Sequence, residues 1–125
     1  MRLTGKRILL VEDHEDTRDF LILLLEQAGC SVLTAGTVTD ALKLSRGETF
    51  DLYLLDNRLP DGTGIDLCHQ LRRLHPRTPI LFCSGAADAS DREQALTAGA
   101  QAYLSKPTDL GLLDKTILKL LDGAL

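Results

Sequence analysis

The stretch DLYLLDNRLPDGTG, residues Asp51–Gly64, decides the fold of this chain. It contains the apolar run LYLL, residues 52–55, which has the length and composition of a strand buried on both faces. The run ends in a carboxylate, Asp56, and the proline and glycines that follow could not continue a strand. We therefore interpret the stretch as a buried strand followed by a polar loop at its carboxyl end.

The rest of the chain repeats this arrangement. Apolar runs of strand length alternate with segments of helical period, which gives five β-α units. Apolar strands linked by helices predict an α/β fold, with a parallel sheet that helices cover on both faces. The other four predicted strands are Arg7–Val11, Ser31–Ala35, Ile80–Cys83 and Ala102–Leu104.

Two helices carry local signals of their bounds. The first is predicted from about Asp16 to Ala28, with Gly29 as its left-handed C-terminal residue. Its predicted buried stripe consists of Phe20, Leu21, Leu24 and Ala28. The segment Ser90–Glu93 has the pattern of a capping box and predicts the start of the fourth helix.

Length and composition predict a single domain that spans residues 1–125. A chain of 125 residues with 44% hydrophobic residues is long enough for one core and too short for two ordinary domains. The net charge of -4 argues against direct nucleic-acid binding. Because no signal peptide and no apolar run of roughly 20 residues is present, we expect a cytoplasmic protein without membrane insertion.

Polar side chains follow four of the predicted strands. In a parallel sheet the carboxyl ends of the strands meet at one edge, where ligands gather. Clustered carboxylates repel one another, and a hard divalent ion such as Mg²⁺ relieves that repulsion. A lysine and a hydroxyl beside them could hold a phosphoryl group around one nucleophilic carboxylate. The residues concerned are Glu12, Asp13, Asp56, Ser84 and Lys106.

Four segments carry a family resemblance. The motifs ILLVEDHEDTR, LYLLDNRLPDGTG, LFCSGAAD and AYLSKP occur in this order over nearly the whole chain. Together they resemble the receiver domain of two-component response regulators. The resemblance implies a flavodoxin-like, doubly wound fold with strand order 2-1-3-4-5 and five flanking helices. It also implies an aspartate that takes a phosphoryl group from a partner's phosphohistidine in a Mg²⁺-dependent reaction.

The resemblance assigns a role to each residue that matches a motif. Asp56 corresponds to the phosphoacceptor, and Glu12 and Asp13 correspond to the acidic pair that binds the metal with Asp56. The backbone carbonyl of Arg58 corresponds to a further metal ligand. Four other positions match family residues around the phosphoryl group: Ser84 and Lys106 as its contacts, Tyr103 as the aromatic switch residue, and Pro107 as the cis-proline beside the lysine.

Two positions bear on the lifetime of the phosphorylated state. Arg58 lies two residues after Asp56, and its cationic side chain could lie across the phosphoryl group or the path of an attacking water. Ala86 lies two residues after Ser84 and is too small to do either.

Each of these residues has a simpler explanation when it is taken alone. An aspartate after a strand is most often a turn former or a helix cap, and a lysine is most often a surface residue. The coincidence of complementary groups in four loops favours a site. Three alternatives stay open: a degenerate receiver that binds partners without phosphorylation, an aspartyl-phosphate phosphohydrolase, and a flavin- or nucleotide-binding domain.

The expected function is that of a signalling domain and not of an enzyme beyond weak autophosphorylation and autodephosphorylation. We expect a histidine kinase or histidine phosphotransfer protein as the phosphoryl donor, and an unknown downstream protein or a second copy as the phosphorylation-dependent partner. The chain is interpreted as a single-domain regulator or the receiver portion of a hybrid sensor kinase.

Overall fold

The computed structural model describes residues 3–85, 89–106 and 109–123. Within them, five parallel strands form one sheet, and two short antiparallel strands form a separate hairpin. In chain order the seven strands are β1 Arg7–Val11, β2 Ser31–Ala35, β3 Leu52–Leu55, β4 Arg58–Leu59, β5 Gly62–Thr63, β6 Ile80–Ser84 and β7 Ala102–Ser105. The order in the sheet is β2-β1-β3-β6-β7. Counted along the five strands of the sheet alone, this is the predicted order 2-1-3-4-5.

Five α-helices connect the strands. They are α1 Glu15–Gln27, α2 Val38–Gly47, α3 Gly64–Leu74, α4 Ala89–Thr97 and α5 Leu113–Leu121, the last preceded by a 3₁₀ turn, Leu110–Leu112. No helix in these ranges is long and apolar enough to cross a membrane.

The central strands supply side chains to two apolar layers. In β1, Leu9 and Val11 belong to one layer and Ile8 and Leu10 to the other, because successive side chains of a strand point to opposite faces. Helices α2, α3 and α4 complete the first layer, and α1 and α5 complete the second. The sheet is therefore covered on both faces, and the predicted doubly wound fold is confirmed.

The predicted buried stripe of α1 is wrong at one of its four residues. Phe20 is 48% exposed, whereas Leu21 is buried and Leu24 and Ala28 pack, partly buried, against the same apolar layer. Leu25, which is not in the predicted stripe, is also buried. Leu21 and Leu25 are four residues apart and share one helical face, and Phe20 lies about 100° from Leu21 around the helix. Gly29 has the predicted positive φ, 98°.

The predicted start of the fourth helix is also wrong. Helix α4 already includes Ala89, so Ser90 lies inside its first turn and is not the N-terminal cap. The hydroxyl of Ser90 accepts a hydrogen bond from the side chain of Gln94, one turn further on.

Candidate functional site

The carboxyl ends of four strands meet around one cleft. Glu12 follows β1, Asp56 follows β3, Ser84 ends β6 and Lys106 follows β7. The cleft has a volume of about 770 Å³. Its lining consists of Glu12, His14, Asp16, Thr17, Phe20, Asp56, Arg58, Ser84, Gly85, Lys106 and Leu110.

Three carboxylates form an acidic cluster at this edge of the sheet. One oxygen from each of Glu12, Asp13 and Asp56 lies within 4.8 Å of the others. Glu12 is only 1% exposed, Asp56 is half-buried and Asp13 is exposed. The cluster offers oxygen ligands only, and one side of it is open to solvent. This donor set fits a hard divalent cation such as Mg²⁺.

Burial and a neighbouring negative charge disfavour the ionised form of Asp56. Its backbone amide donates to the carbonyl of Val11, and the amide of Asn57 donates to Asp56 Oδ1 at 2.8 Å. Burial raises the pKa of the Asp56 carboxyl to about 6, and the nearby charge of Glu12 adds to the increase. Lys106 and the Asn57 amide act in the opposite direction. A cation at this position would therefore stabilise the ionised form of Asp56.

Lys106 bridges two carboxylates of the cluster. Its Nζ atom donates to Glu12 Oε1 at 2.5 Å and lies 3.8 Å from Asp56 Oδ2. The lysine backbone is fixed by a hydrogen bond from its amide to the carbonyl of Ser84. Asp109 holds the start of the same loop, since its carboxylate accepts from the amide of Ser105 and its amide donates to the Ser105 carbonyl. The ammonium group is thus held within reach of Asp56 while it is paired with Glu12.

The loop after Asp56 requires a glycine at position 64. The amide of Gly64 donates to the carbonyl of Asn57 at 2.7 Å, which closes the loop over the strand end. A Cβ atom on Gly64 would lie 2.2 Å from the carbonyl oxygen of Asp56 and 2.9 Å from the ring of Phe82. Because no side chain fits there, Gly64 sets the close return of the chain beside Asp56. Sequence reasoning did not single out this role.

Arg58 lies in the hairpin formed by β4 and β5. It pairs with Thr63 in that hairpin, and its side chain is exposed and lines the cleft beside Asp56. The structure thus places Arg58 at the cleft that contains Asp56.

Ser84 and Tyr103 are buried next to each other on neighbouring strands. Tyr103 is 4% exposed, and its side chain hydrogen-bonds with that of Ser84. Its ring stacks on Phe82, with a centroid separation of 6.0 Å, and the guanidinium of Arg92 lies 5.4 Å from its centroid. Burial raises the pKa of the Tyr103 hydroxyl, while the hydrogen bond with Ser84 lowers it. The two predicted switch residues are therefore in contact.

Two predicted residues, Ala86 and Pro107, lie outside the described residues. Sequence analysis missed Phe20 as a cleft residue because it assigned Phe20 to the buried stripe of α1. The continuous apolar run from Phe20 to Leu25 does not indicate where the buried face of that helix ends.

Comparison with known proteins identifies the family. The family model described as "Response regulator receiver domain" matches residues 8–118. The chain belongs to the response regulator receiver family. It is therefore a receiver domain of the two-component response regulators, which act as phosphoacceptor signalling domains. This membership removes the support for a phosphohydrolase or a flavin-binding domain.

Individual relatives agree with this placement. The response regulator protein PilR of Pseudomonas aeruginosa is 36% identical over 115 residues, which cover 92% of this chain and 26% of PilR. The regulatory protein KdpE of Escherichia coli is 40% identical over 106 residues, which cover 85% of this chain and 47% of KdpE. The chain thus spans less than half the length of these relatives.

Solved structures also match this receiver domain. The CheY-like response regulator receiver domain protein from Methanospirillum hungatei superimposes with a TM-score of 0.88 at 34% identity, covering 95% of each chain. The receiver domain of HemR from Leptospira biflexa gives a TM-score of 0.81 at 36% identity, covering 91% of this chain and 94% of its own.

Proposed function

We propose that this receiver accepts a phosphoryl group on Asp56 and thereby changes its affinity for a downstream partner. One observation carries the proposal. The Asp56 carboxylate lies in an open cleft, within 4.8 Å of two other carboxylates and 3.8 Å from the ammonium of Lys106. These are the groups that a phosphoryl-transfer site needs, namely a nucleophile, metal ligands and a fixed positive charge.

Mg²⁺ is the proposed cofactor. Glu12, Asp13 and Asp56 would bind it together with the backbone carbonyl of Arg58. When bound, the ion would neutralise the negative charge that develops on the phosphoryl oxygens. The half-buried position of Asp56 and the exposed position of Asp13 leave room for water and a phosphoryl oxygen as further ligands.

The proposed reaction is a direct displacement at phosphorus. A carboxylate oxygen of Asp56 attacks the phosphorus of a partner's phosphohistidine, so an O–P bond forms as the N–P bond breaks. The electron pair of the broken bond returns to the histidine ring. Lys106 would move from Glu12 toward the new phosphoryl oxygens, and the Ser84 hydroxyl would donate to another of them. Both groups are already held at the edge of the cleft.

The proposed phosphoryl donor is a histidine kinase or a histidine phosphotransfer protein. Phe20 supports a protein donor, because this aromatic side chain is half-exposed and lines the same cleft as Asp56. A docking partner would cover the ring while its phosphohistidine enters the cleft. In this proposal residues 1–125 act in the cytoplasm as one receiver domain, either as a single-domain regulator or within a hybrid sensor kinase.

Ser84 and Tyr103 are the proposed switch. Phosphorylation would draw the Ser84 hydroxyl toward the phosphoryl oxygens and remove it from Tyr103. Because the Tyr103 ring already lies inward, the switch is an exchange of hydrogen-bond partners and not an inward rotation of the ring. Arg92 lies over that ring and would transmit the change to the face formed by α4, β7 and α5. Binding of a downstream protein or dimerisation at this face is expected to strengthen.

Labelling with a small phosphoryl donor tests the assignment of Asp56. We expect the wild-type protein to gain one phosphoryl group from acetyl phosphate in the presence of Mg²⁺, as measured by intact-protein mass spectrometry. Asp56→Asn should gain none, because it lacks the nucleophilic oxygen. The control Asp66→Asn changes an exposed aspartate in the first turn of α3 and should label like wild type.

Two outcomes would contradict the proposal. Equal labelling of wild type and Asp56→Asn would place the phosphoryl group on another residue. A wild-type protein that is not labelled, and that binds its partner equally well with and without donor, would favour the phosphorylation-independent receiver.

A further inference from the structure

Asp61 makes an unusual set of contacts for a turn residue. It lies between β4 and β5, in the hairpin that follows Asp56. Its Oδ1 accepts from the backbone amide of Val38 at 2.7 Å. Its Oδ2 accepts from the amide of Thr39 at 3.0 Å and from the Thr39 hydroxyl at 2.8 Å. Both carboxylate oxygens of Asp61 are therefore bound to the first two residues of α2.

These contacts complete the N-terminal cap of α2. The local cap, Thr37, accepts from the amide of Asp40 through its hydroxyl, which leaves the amides of Val38 and Thr39 for Asp61. A negative charge at a helix N-terminus is also favoured by the helix dipole. The bonds from Val38 and Thr39 lower the pKa of the Asp61 carboxyl. A cap supplied by a residue 23 positions away ties two separate segments together.

The segment that leads into α2 lies beside the acidic pair. The carbonyl of Ala35, at the end of β2, accepts from the backbone amide of Glu12 at 3.0 Å. A Cβ atom placed on Gly36 would lie 3.9 Å from the Cα of Asp13, so the two backbones are close neighbours. Residues 35–37 therefore link the N-terminus of α2 to the backbone of Glu12 and Asp13.

The hairpin packs closely against the same helix end. A Cβ atom on Gly62 would lie 3.3 Å from a methyl carbon of Val38, which shows how little space separates the two. Asp61 thus joins the loop after Asp56 to the start of α2, which follows the segment in contact with Glu12 and Asp13. Metal ligands come from both sides of this junction in the proposed function.

We propose that Asp61 is a positioning residue for the metal site, which holds the hairpin with the Arg58 carbonyl in register with the acidic pair. The inference rests on the proposed function, because it depends on the metal ligands that are proposed in that function. Asp61 itself does not bind the ion. It fixes the distance between ligands that belong to two loops, as outer groups around metal sites commonly do.

Mg²⁺ titration of matched variants tests this role. We expect Asp61→Ala to bind Mg²⁺ about tenfold more weakly than wild type in isothermal titration calorimetry. The control Asp40→Ala removes the same charge from the same first turn of α2 but leaves Asp61 bound to Val38 and Thr39. It should lose some thermal stability and keep wild-type Mg²⁺ affinity. Asp61→Asn retains one carbonyl oxygen as an acceptor. Its Mg²⁺ affinity should fall between those of Asp61→Ala and Asp40→Ala.

Amide resonances supply a readout that a merely structural cap would not change. In wild type, Mg²⁺ should shift the amide signals of Val38 and Thr39, because Asp61 couples them to the metal-binding loop. In Asp61→Ala these two signals should not respond to Mg²⁺. The rate of labelling by acetyl phosphate should return to the wild-type value at saturating Mg²⁺, since the variant loses ion affinity and not the nucleophile.

The same titrations separate failure of this inference from failure of the proposed function. Loss of saturable Mg²⁺ binding in Asp13→Ala, but not in wild type, establishes the metal site. If Asp61→Ala and Asp61→Asn then bind Mg²⁺ like wild type, and differ only in melting temperature, Asp61 is a helix cap alone and the inference is overturned. If Asp61→Ala does not fold, the result for Asp61→Asn decides. If Asp13→Ala binds Mg²⁺ like wild type, the metal site itself is wrong.

Discussion

The charged side chains at the two ends of the central sheet differ in how they are paired. At the amino ends of the strands, Arg72 donates to five oxygens, and Arg7 pairs with Glu48 and lies over the ring of Phe50. The five acceptors of Arg72 are the carbonyls of His75, Pro76, Thr78 and Gly99 and the side-chain oxygen of Gln101. At the carboxyl ends, three carboxylates lie close together, and the ammonium group of Lys106 pairs with two of them. The end at which the cations are paired stabilises the fold, whereas the end with an excess of negative charge fits a cationic ligand.

Removal of Arg72 should produce the largest effect on stability. The guanidinium joins the end of α3 to the loops that enter β6 and β7. Without it, the half-buried carbonyl oxygens of His75, Thr78 and Gly99 would lose this donor. We expect Arg72→Ala to lower the free energy of unfolding by about 3 kcal/mol, measured by urea denaturation. Arg73→Ala, its exposed neighbour, is the control and should stay within about 0.5 kcal/mol of wild type.

The separation of roles between the two ends of the sheet would be wrong if Arg72→Ala also abolished Mg²⁺ binding in protein that remains folded. Such a result would mean that the amino ends of the strands contribute to the site and not to stability alone.

Removal of the Asp56 charge should increase stability, whereas Arg72→Ala should decrease it. The folded-state pKa of Asp56 is raised from 3.8 to about 6, so the unfolded chain releases this proton first as the pH rises. The carboxyl therefore costs stability progressively between about pH 4 and pH 6, and the full cost remains above that window. With EDTA at pH 7, Asp56→Asn should be more stable than wild type by on the order of 1–2 kcal/mol, a value reduced for solvent screening.

The pH dependence of the stability gain in Asp56→Asn tests whether charge is its cause. The gain in Asp56→Asn should shrink as the pH falls and largely disappear at about pH 3, where the wild-type carboxyl is mostly protonated in both the folded and the unfolded states. Asp19→Asn, at an exposed position within α1, should show no comparable gain at pH 7. A gain that is the same at about pH 3 and at pH 7 would show that packing, and not charge, is responsible.

The smallest expected effect concerns Arg58. If its exposed side chain shields the phosphoryl group, Arg58→Ala should shorten the half-life of the phosphorylated protein by about threefold, as expected for one weak charged contact. Intact mass measured over time, after removal of the donor, gives the half-life. Arg73→Ala serves again as the control and should decay at the wild-type rate. An unchanged or longer half-life in Arg58→Ala would leave Arg58 as a partner contact or a solvated loop residue.

The strands and their polar ends were predictable because they depend on local composition. An apolar run followed by Asp56 or by Ser84 defines both a buried strand and the edge at which it ends. The exposure of Phe20 was not predictable, since six consecutive apolar residues from Phe20 to Leu25 do not indicate where the buried face of α1 ends. The Ser90–Glu93 pattern is a valid cap signal, but α4 extends past it in the N-terminal direction.

The contacts that single polar side chains make across the fold could not be predicted from the sequence either. Asp61 reads as an ordinary turn residue, and its bonds to Val38 and Thr39 depend on how the hairpin meets α2. Arg72 carries no motif, because its acceptors are mainly backbone carbonyls that any sequence provides. The position of Tyr103 depends on a side-chain rotamer that composition does not determine.

The pairing of Lys106 with Glu12 has a consequence for electroneutrality. The three carboxylates of the acidic cluster and the ammonium of Lys106 together carry two uncompensated negative charges when all are ionised, which matches the charge of one divalent cation. Phosphorylation replaces the single charge of Asp56 by a group that carries up to two, so the balance then turns negative again. In the proposed function Lys106 would then leave Glu12 for the phosphoryl oxygens. We expect the charge of the phosphoryl group itself to drive this transfer of the lysine, as a counter-ion, from one acid to another.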